Sequence, residues 1–180
     1  VCSSDLSIEP VIDYLISTSQ DTVTTGTDYL SSLSLDLFYP ICEYLDLFSL
    51  GRLCRCNHEI SKQIIEIYKR ITTLSFHKYT HWSDWQILHM ISRFTMLHTL
   101  SLRNCIHFET FSQLPSVCFG IHLRTLILSG CFLLNDYHIH ALIPLINKVT
   151  TLDLSDCSLS DDSLEHIGAR VSKLEKLILT

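Results

Sequence analysis

The sequence predicts an α/β fold in which three short helices precede a solenoid of parallel strands and returning helices. Blocks of the form apolar-x-x-Leu-x-apolar recur at steps of 26, 26, 26 and 25 residues. They begin at Ile71, Leu97, Leu123, Val149 and Leu174, and we expect the fifth to be incomplete. A fixed period in this range is typical of a solenoid. Ahead of the blocks, apolar residues recur at every fourth position from Leu33 to Leu45, which is typical of one helix face.

Residues 1–30 are rich in serine, threonine and aspartate and show little apolar periodicity. Such a composition buries too little apolar surface to offset the entropy lost when a chain becomes ordered. We therefore expect a disordered or weakly ordered acidic segment. The acidity extends to residue 46, because this stretch holds eight aspartates and glutamates and no lysine or arginine.

Residues 31–70 are predicted to form a helical module. The first helix carries the apolar face that starts at Leu33, and a second begins near Ser49. A third is predicted from Glu59 to Arg70. Three short helices in about forty residues enclose only a small core. We therefore expect the module to leave apolar surface that another protein, or the rest of this chain, must cover.

Residues 71–180 are predicted to form the solenoid, with parallel strands on its concave face and helices on its convex face. Within each block, apolar residues alternate with other types, so each block predicts a short strand whose leucines face inward. One repeat cannot bury its own leucines, and neighbouring repeats must stack. The returning helices are expected to begin at N-cap residues Asp84, Asp136 and Asp161.

Three of the eight cysteines recur at one repeat position, namely Cys105, Cys131 and Cys157. An element that repeats in this way is expected to have a structural task in each repeat, which argues against a disulfide framework. Reduced thiols indicate a cytosolic or nuclear protein. The Cys-x-Cys-x-His run that begins at Cys54 would scatter its side chains around a helix, so we expect no metal site and no cofactor.

Charge and motifs exclude several classes of function. The net charge is −6, and residues 71–180 carry eight bases against nine acids, so a basic surface for nucleic acid or for an acidic membrane is not expected. No apolar run is long enough for a membrane helix.

Cys118 and His122 are close in sequence, but Cys118 lies in an apolar stretch where an inert, buried thiol is commoner than a catalytic one. We expect no enzymatic activity.

The repeats resemble the cysteine-containing class of leucine-rich repeats over about 110 residues. The segment LSLDLFYPICEYLDLFSLGRLCRCNHEI, from Leu33 to Ile60, resembles an F-box. It has the apolar-x-x-acid-apolar-apolar opening, a later isoleucine, the run Tyr-Leu-Asp and two further leucines. Together these features resemble the family of F-box proteins with leucine-rich repeats.

The resemblance implies a substrate-recognition subunit of an SCF-type (cullin) ubiquitin ligase in the cytoplasm or nucleus of a eukaryotic cell. The F-box would bind a Skp-family adaptor and through it a cullin scaffold, and the repeats would bind a target protein. The expected adaptor-binding residues are apolar or aromatic: Leu33, Leu37, Ile41, Tyr44, Leu45, Leu50 and Leu53. The alternative is a leucine-rich-repeat scaffold with a helical N-terminal cap and no link to ubiquitin.

The side chains that alternate with the inward leucines are expected on the concave face, where a target would bind. They are small and rich in hydroxyl groups. The predicted set is Thr73, Ser75, His77, Thr99, Ser101, Arg103, Thr125, Ile127, Thr151 and Asp153.

Overall fold

The computed structural model describes residues 32–55, 58–79, 82–118 and 121–179. The acidic segment expected at residues 1–30 lies outside the described residues. The chain divides into two units between Tyr68 and Lys69, close to the position at which the sequence predicts the repeats to begin.

The first unit contains three helices: α1, Leu35–Glu43; α2, Leu47–Leu53; and α3, His58–Tyr68. The second helix begins two residues before the expected Ser49, because the Asp46 carboxylate caps it by accepting a hydrogen bond of 2.7 Å from the Ser49 N–H. Helices α1 and α2 both pack against α3. The buried apolar side chains come from all three helices: Phe38, Cys42, Leu50, Leu53, Ile60, Ile64, Ile67 and Tyr68.

The second unit contains a sheet of five parallel strands, which follow one another in chain order. The strands are β1, Thr73–Ser75; β2, Thr99–Ser101; β3, Thr125–Ile127; β4, Thr151–Asp153; and β5, Lys176–Ile178. Each residue pairs with its equivalent in the next block, so that Leu100 lies beside Leu126 and Leu126 beside Leu152. The prediction of an α/β fold with parallel strands is confirmed.

The leucines of the blocks form the core beneath this sheet. Leu100, Leu126 and Leu152 are completely buried, and full burial of one leucine side chain contributes about 1.5–3 kcal/mol. Leu177 in the last described strand is 37% exposed and Leu179, just after that strand, is 45% exposed, because no later strand among the described residues covers them. Burial of the leucines of one strand therefore depends on the repeat that follows it.

A helix follows each of the first four strands. These helices are α4, Asp84–Ile91; α5, Leu114–Val117, which a 3₁₀ turn at Phe111–Gln113 precedes; α6, Asp136–Ile146; and α7, Asp161–Arg170. No helix in the described part of the chain is long and apolar enough to cross a bilayer.

The N-cap residues differ from those that the sequence predicts. Ser83, Asn135 and Ser160 occupy the cap positions, each one residue before the expected aspartate. The Asn135 side chain accepts a hydrogen bond of 3.3 Å from the His138 N–H. The prediction of Asp84, Asp136 and Asp161 as N-caps is wrong, because these aspartates are already the first residues with helical geometry.

Two of these aspartates instead bind the following repeat. Asp84 Oδ2 accepts hydrogen bonds from the backbone N–H groups of Glu109 and Thr110, at 2.9 and 2.8 Å. Asp136 accepts hydrogen bonds from the Ser160 N–H at 3.0 Å and from the Ser160 hydroxyl at 2.7 Å. Because Ser160 is the N-cap of α7, Asp136 supplies an acceptor to the helix start of the next repeat.

The turn that leaves each strand repeats its geometry as well. Asn104, Gly130 and Asp156 occupy one repeat position, and all three have a positive φ, between 54° and 71°. At Gly130 a Cβ atom would lie 2.1 Å from Asn104 Oδ1, so that a larger residue there would have to displace the Asn104 side chain and adopt a positive φ that favours glycine. The three turns immediately precede the three repeat cysteines and bring them back beneath the sheet.

Candidate functional site

The first candidate surface lies on α1. Leu37, Ile41 and Tyr44 are 61%, 41% and 77% exposed, and their spacing of four and three residues places them on one side of the helix. Phe38 follows Leu37 and Cys42 follows Ile41, and both of these side chains are buried. The helix is therefore apolar on two sides, of which only one is covered. We call Leu37, Ile41 and Tyr44 the α1 apolar surface.

The other expected adaptor-binding residues lie deeper in the unit. Leu50 and Leu53 are only 2% and 5% exposed and belong to the buried set. Leu33 and Leu45 are half-buried. Apolar periodicity alone does not separate these groups, because a short helical module has apolar residues on both its inner and its outer faces.

The second candidate surface is the sheet face opposite the leucines, on which strand geometry places the ten predicted substrate-binding residues. Their exposure varies with position. The exposed ones are Thr73, His77 and Arg103. The half-buried ones are Ser75, Thr99, Thr125, Ile127 and Thr151. Ser101 and Asp153 are buried, at 9% and 7%.

A polar network crosses this face from the second repeat to the fourth. Arg103 Nε donates a hydrogen bond of 2.8 Å to Ser129 Oγ, and Arg103 Nη2 lies 3.8 Å from Asp153 Oδ2. Asp153 Oδ1 accepts hydrogen bonds from the Ser155 hydroxyl at 2.6 Å and from the Ser155 N–H at 3.0 Å. Because Arg103 remains 58% exposed, its guanidinium can still donate to a bound partner.

The sequence places Arg103 and Asp153 on this face but does not reveal their interaction. They lie two repeats apart, and only the stacking of strands brings them together. The Arg103 side chain has to reach across β3 to form it. The repeat pattern predicts the face of the sheet on which a side chain lies, but not where the end of a long side chain is found.

The repeat cysteines lie beneath the sheet, each next to a carbonyl group of the preceding repeat. Cys131 Sγ donates to the Leu102 carbonyl oxygen at 3.1 Å, and Cys157 Sγ donates to that of Leu128 at 3.2 Å. Cys105 Sγ lies 4.0 Å from the Phe76 carbonyl oxygen. All three thiols are free. Each thiol therefore links the turn of its own repeat to the backbone of the repeat before it.

Burial also makes these thiols weak acids. It raises the pKa of Cys105 to about 11 and that of Cys131 to about 12, and it raises the pKa of Cys157 as well. Cys118 is completely buried, and burial raises its pKa to about 12. A thiol must lose its proton to act as a nucleophile or as a metal ligand. None of these four can do so readily near neutral pH.

Within the described ranges, no group of three or more histidine, cysteine, aspartate or glutamate side chains is arranged to hold a metal ion. Comparison with known proteins adds no assignment, because the chain matches no family model and no curated protein sequence. Its function is therefore inferred from its own residues.

Proposed function

We propose that this protein is a substrate-recognition subunit of an SCF-type (cullin) ubiquitin ligase. In this proposal residues 31–70 form an F-box that binds a Skp-family adaptor and through it a cullin scaffold. Residues 71–180 form a leucine-rich-repeat solenoid that binds a target protein. The subunit performs no chemistry itself; it holds the target near a ubiquitin-loaded enzyme and so raises the local concentration of target lysines.

The α1 apolar surface is the observation that carries this proposal. Leu37, Ile41 and Tyr44 remain exposed although the same short helix buries Phe38 and Cys42. Grouped large apolar side chains on a surface are typical of a contact with another protein. Tyrosine is among the residue types that contribute most to such contacts when a partner desolvates them. The other helices of the unit leave these side chains uncovered, and this favours a docking module.

The sheet unit supports the second half of the proposal. Its strands pair in register with a step of one sequence block, and each of three blocks places a cysteine thiol next to a carbonyl group of the block before it. This is what a solenoid of cysteine-containing leucine-rich repeats requires. The face opposite the leucines presents hydroxyl groups and the Arg103 guanidinium, which suit a polar surface on a target protein.

A second candidate is a leucine-rich-repeat scaffold that has no link to ubiquitin. Leu50 and Leu53, which the sequence assigns to the adaptor contact, are buried. The surface left for an adaptor is therefore smaller than the sequence suggests, and this favours the scaffold. The repeats would then bind a partner in the same way, without recruiting a cullin.

Co-expression with the adaptor distinguishes the two candidates. We expect the wild-type chain to co-purify with the adaptor, and Leu37→Asp or Ile41→Asp to abolish the complex while circular dichroism shows an unchanged fold. Both side chains are exposed, so an aspartate there removes apolar contact area without placing a charge in the core.

Ile65→Asp is the matched control, because Ile65 lies on α3 of the same unit and is 45% exposed. This variant should keep the complex. Equal loss from all three substitutions would show that the effect is not specific to α1. Failure of the folded wild-type chain to bind the adaptor would favour the scaffold.

A further inference from the structure

A groove with a volume of about 690 Å³ runs along the edge of the sheet at which the chain enters its strands. It spans the segments that precede β2, β3, β4 and β5. Its ionisable lining residues are His98, His122, Arg124, Lys148, Lys173 and Glu175. This edge is separate from the sheet face that carries the predicted substrate-binding residues.

The basic residues of the groove follow the repeat. His122, Lys148 and Lys173 each stand three residues before a strand, and Arg124 stands one residue before β3. Because neighbouring strands lie about 4.8 Å apart, equivalent side chains in successive repeats form a row with about that spacing. All four side chains are exposed. The stacking of repeats therefore assembles a row of positive charge that no single repeat contains.

The floor of the groove is apolar. Ile121 and Leu123 line it and are only 8% and 1% exposed, and Met96 contributes a side chain that is 51% exposed. At the opposite end from Lys173, the His98 ring is held by a hydrogen bond of 2.7 Å between its Nδ1 and the Met96 carbonyl oxygen. The groove thus combines an apolar base with a charged rim, which suits a peptide better than a small inorganic anion.

The charge of the groove is opposite to that of the chain. Arg124, Lys148 and Lys173 are cationic at neutral pH against Glu175 alone, whereas the whole chain carries a net charge of −6. A local field of this sign attracts acidic partners and repels further basic ones. Nucleic acid would need a wider basic surface than one groove on an acidic protein provides.

We propose that this groove binds an extended acidic segment of a partner protein. An extended chain rises about 3.3 Å per residue, so roughly five residues cover the four strands. Carboxylates at alternate positions would lie about 6.6 Å apart, within reach of the long lysine side chains of the row, and Arg124 offers a fork of donors that matches a carboxylate. This proposal goes beyond the adaptor contact and does not depend on it, because the groove lies wholly within the sheet unit.

Fluorescence anisotropy tests the proposal with the full chain and a labelled peptide of about eight alternating glutamate and serine residues. A peptide with glutamine in place of glutamate is its neutral control. We expect the acidic peptide alone to bind at about 50 mM salt, and binding to weaken steeply toward about 500 mM. The double variant Arg124→Gln/Lys173→Gln should bind about five- to tenfold more weakly.

Arg170→Gln/Lys176→Gln is the matched control, because it removes the same two charge types from exposed positions outside the groove. It should bind the acidic peptide like the wild type. Equal binding of the two peptides, or equal losses in the two double variants, would overturn the proposal. Tighter binding of a single-stranded oligonucleotide than of the acidic peptide would overturn it as well.

Discussion

At the scale of single residues, two successive positions have the same role in three of the repeats. Asn104, Gly130 and Asp156 turn the chain with a left-handed backbone conformation. The cysteine that follows each of them places its thiol under the preceding repeat. A small, weakly polar side chain suits this space, because it fills a gap and still donates to a carbonyl group. The column of cysteines is a set of contacts between repeats rather than a reactive site.

Cys131→Ala should therefore destabilise the fold by about 1–2 kcal/mol, since it removes a buried hydrogen bond and leaves a small cavity. Cys131 is completely buried, whereas Cys157 is half-buried at the same repeat position. Cys157→Ala should cost less, because solvent can reach its site. Urea unfolding at pH 7 measures both free energies, and equal values for the two variants would contradict this packing role.

At the scale of elements, the short strands could be predicted but the links between helices could not. Alternation within a block and a constant step between blocks are both visible along the chain, so the strands and their parallel order follow from them. The role of Asp136 is not visible in this way. Its partners Ser160 and Ser163 belong to the next repeat and become neighbours only after stacking.

Asp136→Asn should lower the melting temperature, because an amide oxygen cannot replace both carboxylate oxygens as acceptors. The bonds from Ser163 and Ser160 lower the pKa of Asp136 below its usual value of 3.8. A carboxyl group with a lowered pKa stabilises the fold above its unfolded pKa, and this contribution is lost as the pH falls through the folded pKa. The difference between wild type and variant should therefore be full at pH 6 and shrink below about pH 4.

Asp161→Asn is the control for this comparison, since Asp161 also lies in the first turn of its helix but has no next-repeat bond of this kind among the described residues. It should change the melting temperature less. Thermal unfolding at both pH values measures the two differences. A difference for Asp136→Asn that stays constant from pH 6 to pH 3 would contradict the role of the ionised carboxylate.

At the scale of the whole molecule, the sequence predicted which kinds of surface the protein has better than it predicted which residues form each surface. It assigned apolar residues of α1 and α2 to one adaptor contact, but burial divides them into the exposed Leu37 on α1 and the buried Leu50 on α2. It also missed the cationic groove, because charge summed over residues 71–180 is nearly zero. Only alignment of the repeats shows that Lys148 and Lys173 share one position and that Glu175 is the one acid among the residues lining the groove.

The central claim is that the helical unit is a docking module for a Skp-family adaptor. Isothermal titration of the complete chain with purified adaptor tests this claim most directly. We expect a single site with a Kd of about 1 µM or tighter, which corresponds to about 8 kcal/mol of binding free energy. The Ile41→Asp variant should show no heat of binding under the same conditions. Absence of binding by the folded wild-type chain at about 50 µM adaptor, some fiftyfold above that Kd, would contradict the claim.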